Sequence, residues 1–235
     1  MNPINKACFY GVGVGTGDPE LLTLKAVRCI ESADIICYLK TSTGQTLARN
    51  IAQAHLGKQD EFAIVMPAMQ IERKQINQAY DAAAQQITDY LQQGKSVAFL
   101  CEGDPFFFGS YIYLYQRLIK KFTCHTIAGI SSIHASAALA GIPLVQQKDN
   151  LAVLSSRNTD QELLSALKNF ASVVIMKAGK HRARLCQLIQ TAQRSQDACY
   201  IERAGQKGER IEYNIKTLST ASGDYFSLFL VTKNN

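Results

Sequence analysis

The chain has 235 residues, a length that suits one large domain or two modest ones. Apolar residues make up 47% of it and charged residues 19%, a composition that excludes an intrinsically disordered chain. The formal charge of +6 is spread along the sequence, so no focused basic surface predicts binding to nucleic acid. The sequence shows neither a secretory leader pattern nor an apolar run of membrane-spanning length, which predicts a cytoplasmic protein without a membrane partner.

The cysteine and histidine patterns argue against disulfides and metal sites. Seven cysteines occur without a CxxC pair, and several lie within apolar runs such as ADIICYL and SVAFLC. They are predicted to be buried free thiols of a reducing compartment. The four histidines also lack ligand spacing, because no HExxH motif occurs and His125 and His134 are nine residues apart. No structural metal is expected.

Apolar runs typical of strands alternate with helical periods through the first half of the chain. The predicted strands cover residues 7–14, 34–39, 62–65, 96–101 and 123–127, and the predicted helices cover residues 19–32, 45–55, 71–93, 111–120 and 131–140. These strand runs lack polar alternation, which predicts a parallel sheet covered by helices on both faces.

The first predicted helix has a defined start and an inner face. Asp18 is placed to cap it, and Pro19 occupies the first helical position, where a missing N–H costs nothing. The helical period assigns four apolar side chains to its inner side: Leu21, Leu24, Val27 and Ile30.

The second half of the chain follows a polar candidate linker at residues 143–150. The predicted strands there cover residues 151–155, 173–177, 198–202, 210–215 and 225–232, and the predicted helices cover residues 161–170 and 182–193. The last two strands have a short connection and the first of them alternates as RIEYNI, which predicts an antiparallel pair and hence a mixed sheet. The sequence therefore predicts two α/β domains, residues 1–145 and 146–235.

The first strand ends in the glycine-rich string GVGVGTGDP, residues 11–19. Alternating glycines at a strand end allow a sharp turn and a close approach of the backbone to a ligand. The spacing departs from the GxGxxG fingerprint of nucleotide-binding oxidoreductases, and no acidic residue closes the second strand. That enzyme class remains an alternative interpretation of the string, and so does a simple tight turn.

Two further strand ends carry small or acidic residues at the same predicted edge of the sheet. LCEGDPFFFGS, residues 100–110, combines an acidic pair, a Gly-Asp-Pro turn and three consecutive aromatics, which cannot all face inward. AGISS, residues 128–132, adds small residues and the amides of a helix start. Open α/β sheets bind ligands at the carboxyl ends of their strands, so a ligand site is predicted there.

The strings GVGVGTGDPELLTLKA, LCEGDPFFFGS and AGISSIHASAALAGIPL together resemble the motifs of the tetrapyrrole methyltransferase family, over nearly the whole chain. This resemblance implies a homodimer of chains with two α/β domains and S-adenosylmethionine in the cleft between the domains. The cofactor contacts that it implies by motif position are Gly15, Thr16, Gly103, Asp104, Phe107, Ser131, Ser132, Met176 and Ala204. Thr16 departs from the family pattern, in which proline is usual, so the rigidity of that loop is in question.

LCEGDPFFFGSYIYLYQRL and YIERAGQKGERI resemble the branch of this family that methylates precorrin-2 at C-20 in cobalamin synthesis. The resemblance implies the product precorrin-3A, or action on cobalt-factor II in the anaerobic route. Methylation of another tetrapyrrole such as uroporphyrinogen III is the alternative within the family. Glu102 is the candidate general base or, equally, an acceptor for turn amides, and Lys40 and Arg203 are candidates to bind substrate carboxylates.

Overall fold

The computed structural model describes residues 7–67 and 73–233, and its internal contacts divide the chain into two compact units, Met1–Ser131 and Ser132–Asn235. Each unit contains a five-stranded sheet with helices, which confirms the predicted α/β class. The division falls before the helix at Ser132–Ala140, whereas the sequence suggests a domain boundary after residue 145. The first two residues of the helix predicted over 71–93 lie outside the described residues.

All five strands of the first sheet are parallel, in the order β3-β2-β4-β1-β5. The strands are β1 (Cys8–Gly13), β2 (Ile35–Lys40), β3 (Asp60–Val65), β4 (Val97–Cys101) and β5 (Thr123–Ile127). Because β1 lies between β4 and β5, the carboxyl ends of these three strands meet at one edge of the sheet.

The helices of the first unit cover both faces of this sheet, as the apolar strand runs predict. They are α1 (Leu24–Ser32), α2 (Leu47–Ala52), α3 (Arg73–Gln92) and α4 (Tyr111–Leu118). One buried cluster joins α1 and α2 to side chains of β1 such as Tyr10 and Val12, and another joins α3 and α4 to Phe9 on the opposite face. The period of two along β1 therefore divides its side chains between two cores.

The predicted helix over residues 19–32 is wrong in one respect, because it is two elements. Asp18 caps only a 3₁₀ turn, Pro19–Leu21, through a hydrogen bond of 2.9 Å from the Glu20 amide. The Thr23 hydroxyl then accepts from the Ala26 amide at 3.1 Å and starts α1 as a new helix. This restart shifts the helical phase, so Leu24 is 76% exposed instead of lying on the inner face.

The second sheet is mixed, as predicted, in the order β6-β7-β10-β8-β9. The elements of this unit are α5 (Ser132–Ala140), β6 (Leu151–Ser155), α6 (Asp160–Asn169), β7 (Ser172–Met176), α7 (Arg182–Thr191), β8 (Ala198–Glu202), β9 (Arg210–Glu212) and β10 (Ser227–Thr232). The predicted pairing of the last two strands with each other is wrong, because β8 lies between β9 and β10 and pairs antiparallel with both.

Three further observations concern only residues 7–67 and 73–233. No helix in these ranges is both long and apolar enough to cross a bilayer. All seven cysteines fall in these ranges as free thiols, five of them buried and two, Cys124 and Cys186, partly exposed. No group of three or more histidine, cysteine, aspartate or glutamate side chains is arranged there to hold a metal ion.

Candidate cofactor site

Three glycines pack backbone against backbone where β1, β4 and β5 end. A Cβ atom added to Gly13 would lie 2.6 Å from both the Gly103 carbonyl oxygen and the Gly129 amide nitrogen. A Cβ atom added to Gly129 would likewise overlap the Gly103 carbonyl oxygen. Real Cβ atoms do not approach backbone so closely, and glycine is therefore required where these three strand ends converge.

The loops after β1 and β4 are joined by their backbones. The Gly103 amide donates a hydrogen bond of 2.7 Å to the Gly15 carbonyl oxygen, and the Val14 amide donates to the Cys101 carbonyl oxygen at 3.0 Å. Gly15 and Gly103 have φ angles of +78° and +66°, in the left-handed region that glycine enters without steric cost. Two of the residues predicted to contact the cofactor thus lie in loops that are joined by backbone hydrogen bonds.

Gly103 also has open space where a side chain would stand. The nearest atom to a Cβ added there is the Cα of Ser131, at 3.9 Å, an ordinary van der Waals distance. Ser131 itself is buried, as is Thr16 on the loop after β1. The predicted contacts Gly15, Thr16, Gly103 and Ser131 therefore lie together at one edge of the first sheet. Ser132 follows as the first residue of α5 and is partly exposed.

The Asp104 carboxylate is used by the protein's own amides. Its Oδ1 accepts from the Phe106 amide at 2.9 Å, and its Oδ2 accepts from the Gly129 amide at 3.1 Å. The side chain thus closes the turn after β4 and ties it to the loop after β5. The carboxylate therefore holds the two loops together, and contact between Asp104 and the cofactor stays a prediction.

The three consecutive phenylalanines have different environments, in agreement with the expectation that they cannot all face inward. Phe106 packs against the rings of Tyr111 and Tyr115 but is 48% exposed, and Phe107 is partly buried. Phe108 is 43% exposed, with its ring edge-on to Phe107 and a left-handed φ of +54°. Left-handed backbone at a non-glycine residue costs free energy and is concentrated at functional sites.

Glu102 and Lys40 lie at the same edge on neighbouring strands. Tyr38 in β2 pairs in register with Leu100 in β4, and each candidate comes two residues later along its own strand. Both side chains are partly buried. Burial raises the pKa of Tyr80 to about 12, and the negative charge of Glu102 contributes in the same direction. Glu102 therefore acts electrostatically on Tyr80 of α3.

The remaining predicted residues lie at or just after the ends of β7 and β8 in the second unit. Both strands run antiparallel to β10, which lies between them, so their carboxyl ends are at the same edge of that sheet. Met176 ends β7 and Ala204 follows β8, and each is 8% exposed. Arg203 has a φ of +53°, and its guanidinium group donates to Asp224 at 2.7 Å.

Asp224 and the packing role of Gly129 were not predicted from the sequence. Gly129 stands in the string AGISS at the end of a predicted strand, the same context that marks the other two strand-end glycines. Asp224 lies in the irregular segment before β10, where no hydrophobic period marks a side chain. Its pairing with Arg203 depends on chain segments 21 residues apart, so only the tertiary structure reveals it.

Comparison with known proteins identifies the family. Residues 8–219 match the family of tetrapyrrole (corrin/porphyrin) methylases. The chain is 32% identical to a precorrin-2 C(20)-methyltransferase from Sinorhizobium sp over 98% of this chain and 97% of that protein. It is 30% identical to the cobalt-precorrin-2 C(20)-methyltransferase of Salmonella typhimurium, over 96% of each chain.

Solved structures agree with this assignment at the level of the fold. The crystal structure of uroporphyrin-III C-methyltransferase from Thermus thermophilus in complex with S-adenosylhomocysteine has a TM-score of 0.68 and 20% sequence identity, covering 96% of this chain and 97% of that one. The full-length match does not favour the oxidoreductase interpretation of the glycine-rich string. The chain belongs to the tetrapyrrole (corrin/porphyrin) methylase family and is a methyltransferase of that family.

Proposed function

We propose that this protein transfers a methyl group from S-adenosylmethionine to C-20 of precorrin-2, giving precorrin-3A, or to C-20 of cobalt-factor II in the anaerobic route. The observation that carries the proposal is the similarity to C(20)-methyltransferases along the whole chain, at 32% and 30% identity. Relatives named for a metal-free and for a cobalt-containing substrate are almost equally similar, so the proposal includes both substrates.

The strand-end residues of the first unit fit the cofactor. Gly15 and Gly103 present backbone groups without side chains, and the space at Gly103 leaves room for a ligand beside Ser131. Bound S-adenosylmethionine would supply the methyl group as a sulfonium electrophile. Thr16 and Ser131 are buried and polar, so they would meet polar groups of the cofactor without exposing it to water. Phe107 and Ser132, with Met176 and Ala204 in the second unit, are proposed contacts by motif position.

The proposed contribution of the protein to catalysis is mainly positioning. Holding a nucleophilic carbon in line with a methyl group can lower a barrier by about 7–11 kcal/mol. A reduced tetrapyrrole is electron-rich at its meso carbons, so a base is required only for the proton that C-20 loses after methylation. Glu102 is the proposed acceptor of that proton, because it is partly buried at the same strand end as Gly103.

Substrate binding is proposed to use cations at the strand ends. Precorrin-2 carries several carboxylates, which Lys40 and Arg203 would bind through charge-assisted hydrogen bonds. Arg203 already pairs with Asp224, so it would offer its remaining donors while Asp224 fixes its orientation. Lys40 lies beside Glu102 along the edge of the sheet and would bind a carboxylate near the proposed base.

The protein is further proposed to act as a cytoplasmic homodimer. Light scattering would test the dimer, which should have twice the mass of the chain.

The experiment that tests this function is turnover under anaerobic conditions with S-adenosylmethionine. Precorrin-2, cobalt-factor II and uroporphyrinogen III are offered in separate reactions, and mass spectrometry counts the methyl groups added. One added methyl group on precorrin-2 or cobalt-factor II, with none on uroporphyrinogen III, is expected. Methylation of uroporphyrinogen III alone would instead favour the alternative function within the family.

The variant that tests the proposed base is Glu102→Gln, which keeps the size of the side chain but cannot accept a proton. Loss of a general base lowers kcat by about 100-fold or more. The affinity for S-adenosylhomocysteine is expected to stay unchanged. A Glu102→Gln variant with the kcat of the wild-type protein would remove Glu102 from the proposed mechanism while leaving the proposed reaction intact.

A further inference from the structure

A buried polar network lies near the ends of β7 and β8 in the second unit. It consists of Arg182, Tyr200 and Glu202, of which Arg182 and Tyr200 are 5% and 0% exposed. Glu202 Oε1 accepts from the Tyr200 hydroxyl at 2.6 Å and from Arg182 at 3.4 Å, and the guanidinium carbon of Arg182 lies 5.5 Å from the centre of the Tyr200 ring. We call these three residues the Arg182 network.

The Arg182 network holds the irregular segment that precedes β10, residues 219–226. Arg182 donates to the Ser219 hydroxyl at 3.1 Å and to the Ala221 carbonyl oxygen at 2.7 Å. Glu202 Oε1 also accepts from the Asp224 amide at 3.0 Å. The segment passes so close that a Cβ atom on Gly223 would overlap both the Tyr200 hydroxyl and Glu202.

The same segment fixes the turn that follows β8. Asp224 accepts from the Arg203 side chain at 2.7 Å, and the Arg203 amide donates to the Phe226 carbonyl oxygen at 2.7 Å. Arg203 has a left-handed φ of +53°, a conformation that persists in a non-glycine residue only where the surroundings hold it. Ala204, the next residue, is a proposed cofactor contact and is 8% exposed.

Stability is a weak explanation for the Arg182 network. A buried ion pair contributes little net stability because its desolvation offsets its attraction. Among the described residues, Arg182 Nε is moreover buried without a hydrogen-bond partner, an arrangement that native interiors rarely contain. Such networks are explained more readily by the conformation that they select than by the free energy of unfolding that they add.

A second buried arginine provides a contrast at the opposite edge of the same sheet. Arg194 follows α7 and is 9% exposed, and its guanidinium group donates to the carbonyl oxygens of Phe170 and Ala171 at 3.1 and 2.9 Å. These residues precede β7, so Arg194 joins the ends of the sheet that lie away from Met176 and Ala204. Arg182 and Arg194 are therefore matched in residue type and burial but differ in what they hold.

We propose that the Arg182 network is a positioning device for the cofactor: through the segment 219–226 and the Asp224–Arg203 pair, it holds the turn at Arg203–Ala204 in its binding conformation. The inference rests on the proposed function, because it requires that Ala204 contacts S-adenosylmethionine. Arg182, Tyr200 and Glu202 are positioning residues in this account, since each acts on the cofactor only through the turn.

The test compares Arg182→Met with Arg194→Met in the full-length protein. Calorimetry measures the Kd for S-adenosylhomocysteine at a temperature where circular dichroism shows both variants folded. Arg182→Met is expected to raise this Kd about tenfold, the effect of one lost backbone hydrogen bond to the ligand. Arg194→Met is expected to change the Kd less than about twofold, although it removes more side-chain hydrogen bonds than Arg182→Met, five against three. The KM for S-adenosylmethionine should rise with the Kd, while kcat at saturation stays near that of the wild-type protein.

Tyr200→Phe provides a second variant that keeps the ring and removes only the hydroxyl donor to Glu202. Tyr200→Phe serves as the test variant if Arg182→Met fails to fold. The expected rise in its Kd for S-adenosylhomocysteine is about threefold. Wild-type affinity in the folded variants, or an equal loss in Arg194→Met, would overturn the inference and leave the proposed function intact. A wild-type protein that binds no S-adenosylhomocysteine would instead overturn the proposed function, and the inference with it.

Discussion

The Oδ2 atom of Asp104 accepts a hydrogen bond of 3.1 Å from the Gly129 amide and so joins the loops that follow β4 and β5. By sequence motif, Asp104 was expected to contact the cofactor. That contact stays a prediction. Its carboxylate oxygens accept hydrogen bonds from two backbone amides of the protein, those of Gly129 and Phe106. The carboxylate would therefore affect ligand binding through the loops that it connects.

Substitution of Asp104 is expected to weaken both the fold and the cofactor site. Asp104→Ala leaves two amides without acceptors, and an unmade hydrogen bond at a partly buried amide costs about 1–3 kcal/mol. Urea denaturation should register this loss in the free energy of unfolding. Asp104→Asn retains one acceptor oxygen and should lose about half as much. Equal stabilities of the wild-type, Asn and Ala proteins would contradict the bridging role.

Gly129 is expected to tolerate no side chain. Because a Cβ atom there would overlap the Gly103 carbonyl oxygen, Gly129→Ala must displace the loop after β4, at about 1–3 kcal/mol of stability. The displacement should also abolish binding of S-adenosylhomocysteine, measured by calorimetry.

Gly94→Ala is the control for this substitution. Gly94 has a φ of +77° but open space at its Cβ position, so alanine there costs only about 1 kcal/mol of backbone strain. The affinity for S-adenosylhomocysteine should be unaffected. Normal binding by Gly129→Ala would show that the packing of the three glycines does not shape the site.

Lys40→Ala is expected to raise the KM for the tetrapyrrole without changing the Kd for S-adenosylhomocysteine. The loss of one partly exposed charge pair corresponds to about a fivefold rise in KM. This rise should become smaller with added salt, because salt screens the attraction between Lys40 and the carboxylate in the wild-type protein. Lys95 is a matched control, because it precedes β4 at the opposite edge of the same sheet and pairs with Asp60 at 3.8 Å. Equal effects of Lys40→Ala and Lys95→Ala on KM would rule out a specific role for Lys40.

The start of α6 gives a pH prediction that is independent of the cofactor. Hydrogen bonds from the Thr159 backbone and hydroxyl, and from Asn158, lower the pKa of Glu162 from its usual 4.5. A depressed pKa in the folded state means that ionised Glu162 stabilises the fold above its unfolded-state pKa. This contribution is lost as the pH falls through the lower folded-state value.

Thermal unfolding at a series of pH values checks this expectation. The difference in Tm between the wild-type protein and Glu162→Gln should be constant well above pH 4.5 and should narrow as the pH falls below that value. In a Thr159→Ala background, Glu162 loses the hydroxyl donor but keeps the backbone amide of residue 159, so the narrowing should become smaller without disappearing. A difference in Tm that does not change with pH would contradict the capping role of the carboxylate.

The sequence predicted the strands well because buried parallel strands are continuous apolar runs. The strand over residues 123–127, for example, was predicted with the bounds that β5 has. It failed at Leu24, because the Thr23 hydroxyl restarts the helix and a hydrophobic period carries no record of such a restart. It also failed for β10, whose insertion between β7 and β8 is a pairing between distant segments.

The candidate site was likewise predicted in part, and the parts differ in what determines them. Glycines at strand ends can be recognised from local sequence, since a turn there needs their backbone freedom. Asp104 bonds to the Gly129 amide only because β5 ends beside it. Arg203 pairs with Asp224 only because residues 219–226 pass close to the end of β8. These relationships are set by tertiary contacts, so the sequence identified the residues without their partners.

The most direct test of the central claim is the position of the transferred methyl group. Purified protein is incubated without oxygen with precorrin-2 or cobalt-factor II and S-adenosylmethionine carrying a ¹³C-labelled methyl group, and the product is examined by carbon NMR. The account predicts a single labelled methyl group on C-20. A label on any other ring carbon, or no transfer although S-adenosylhomocysteine binds, would contradict it.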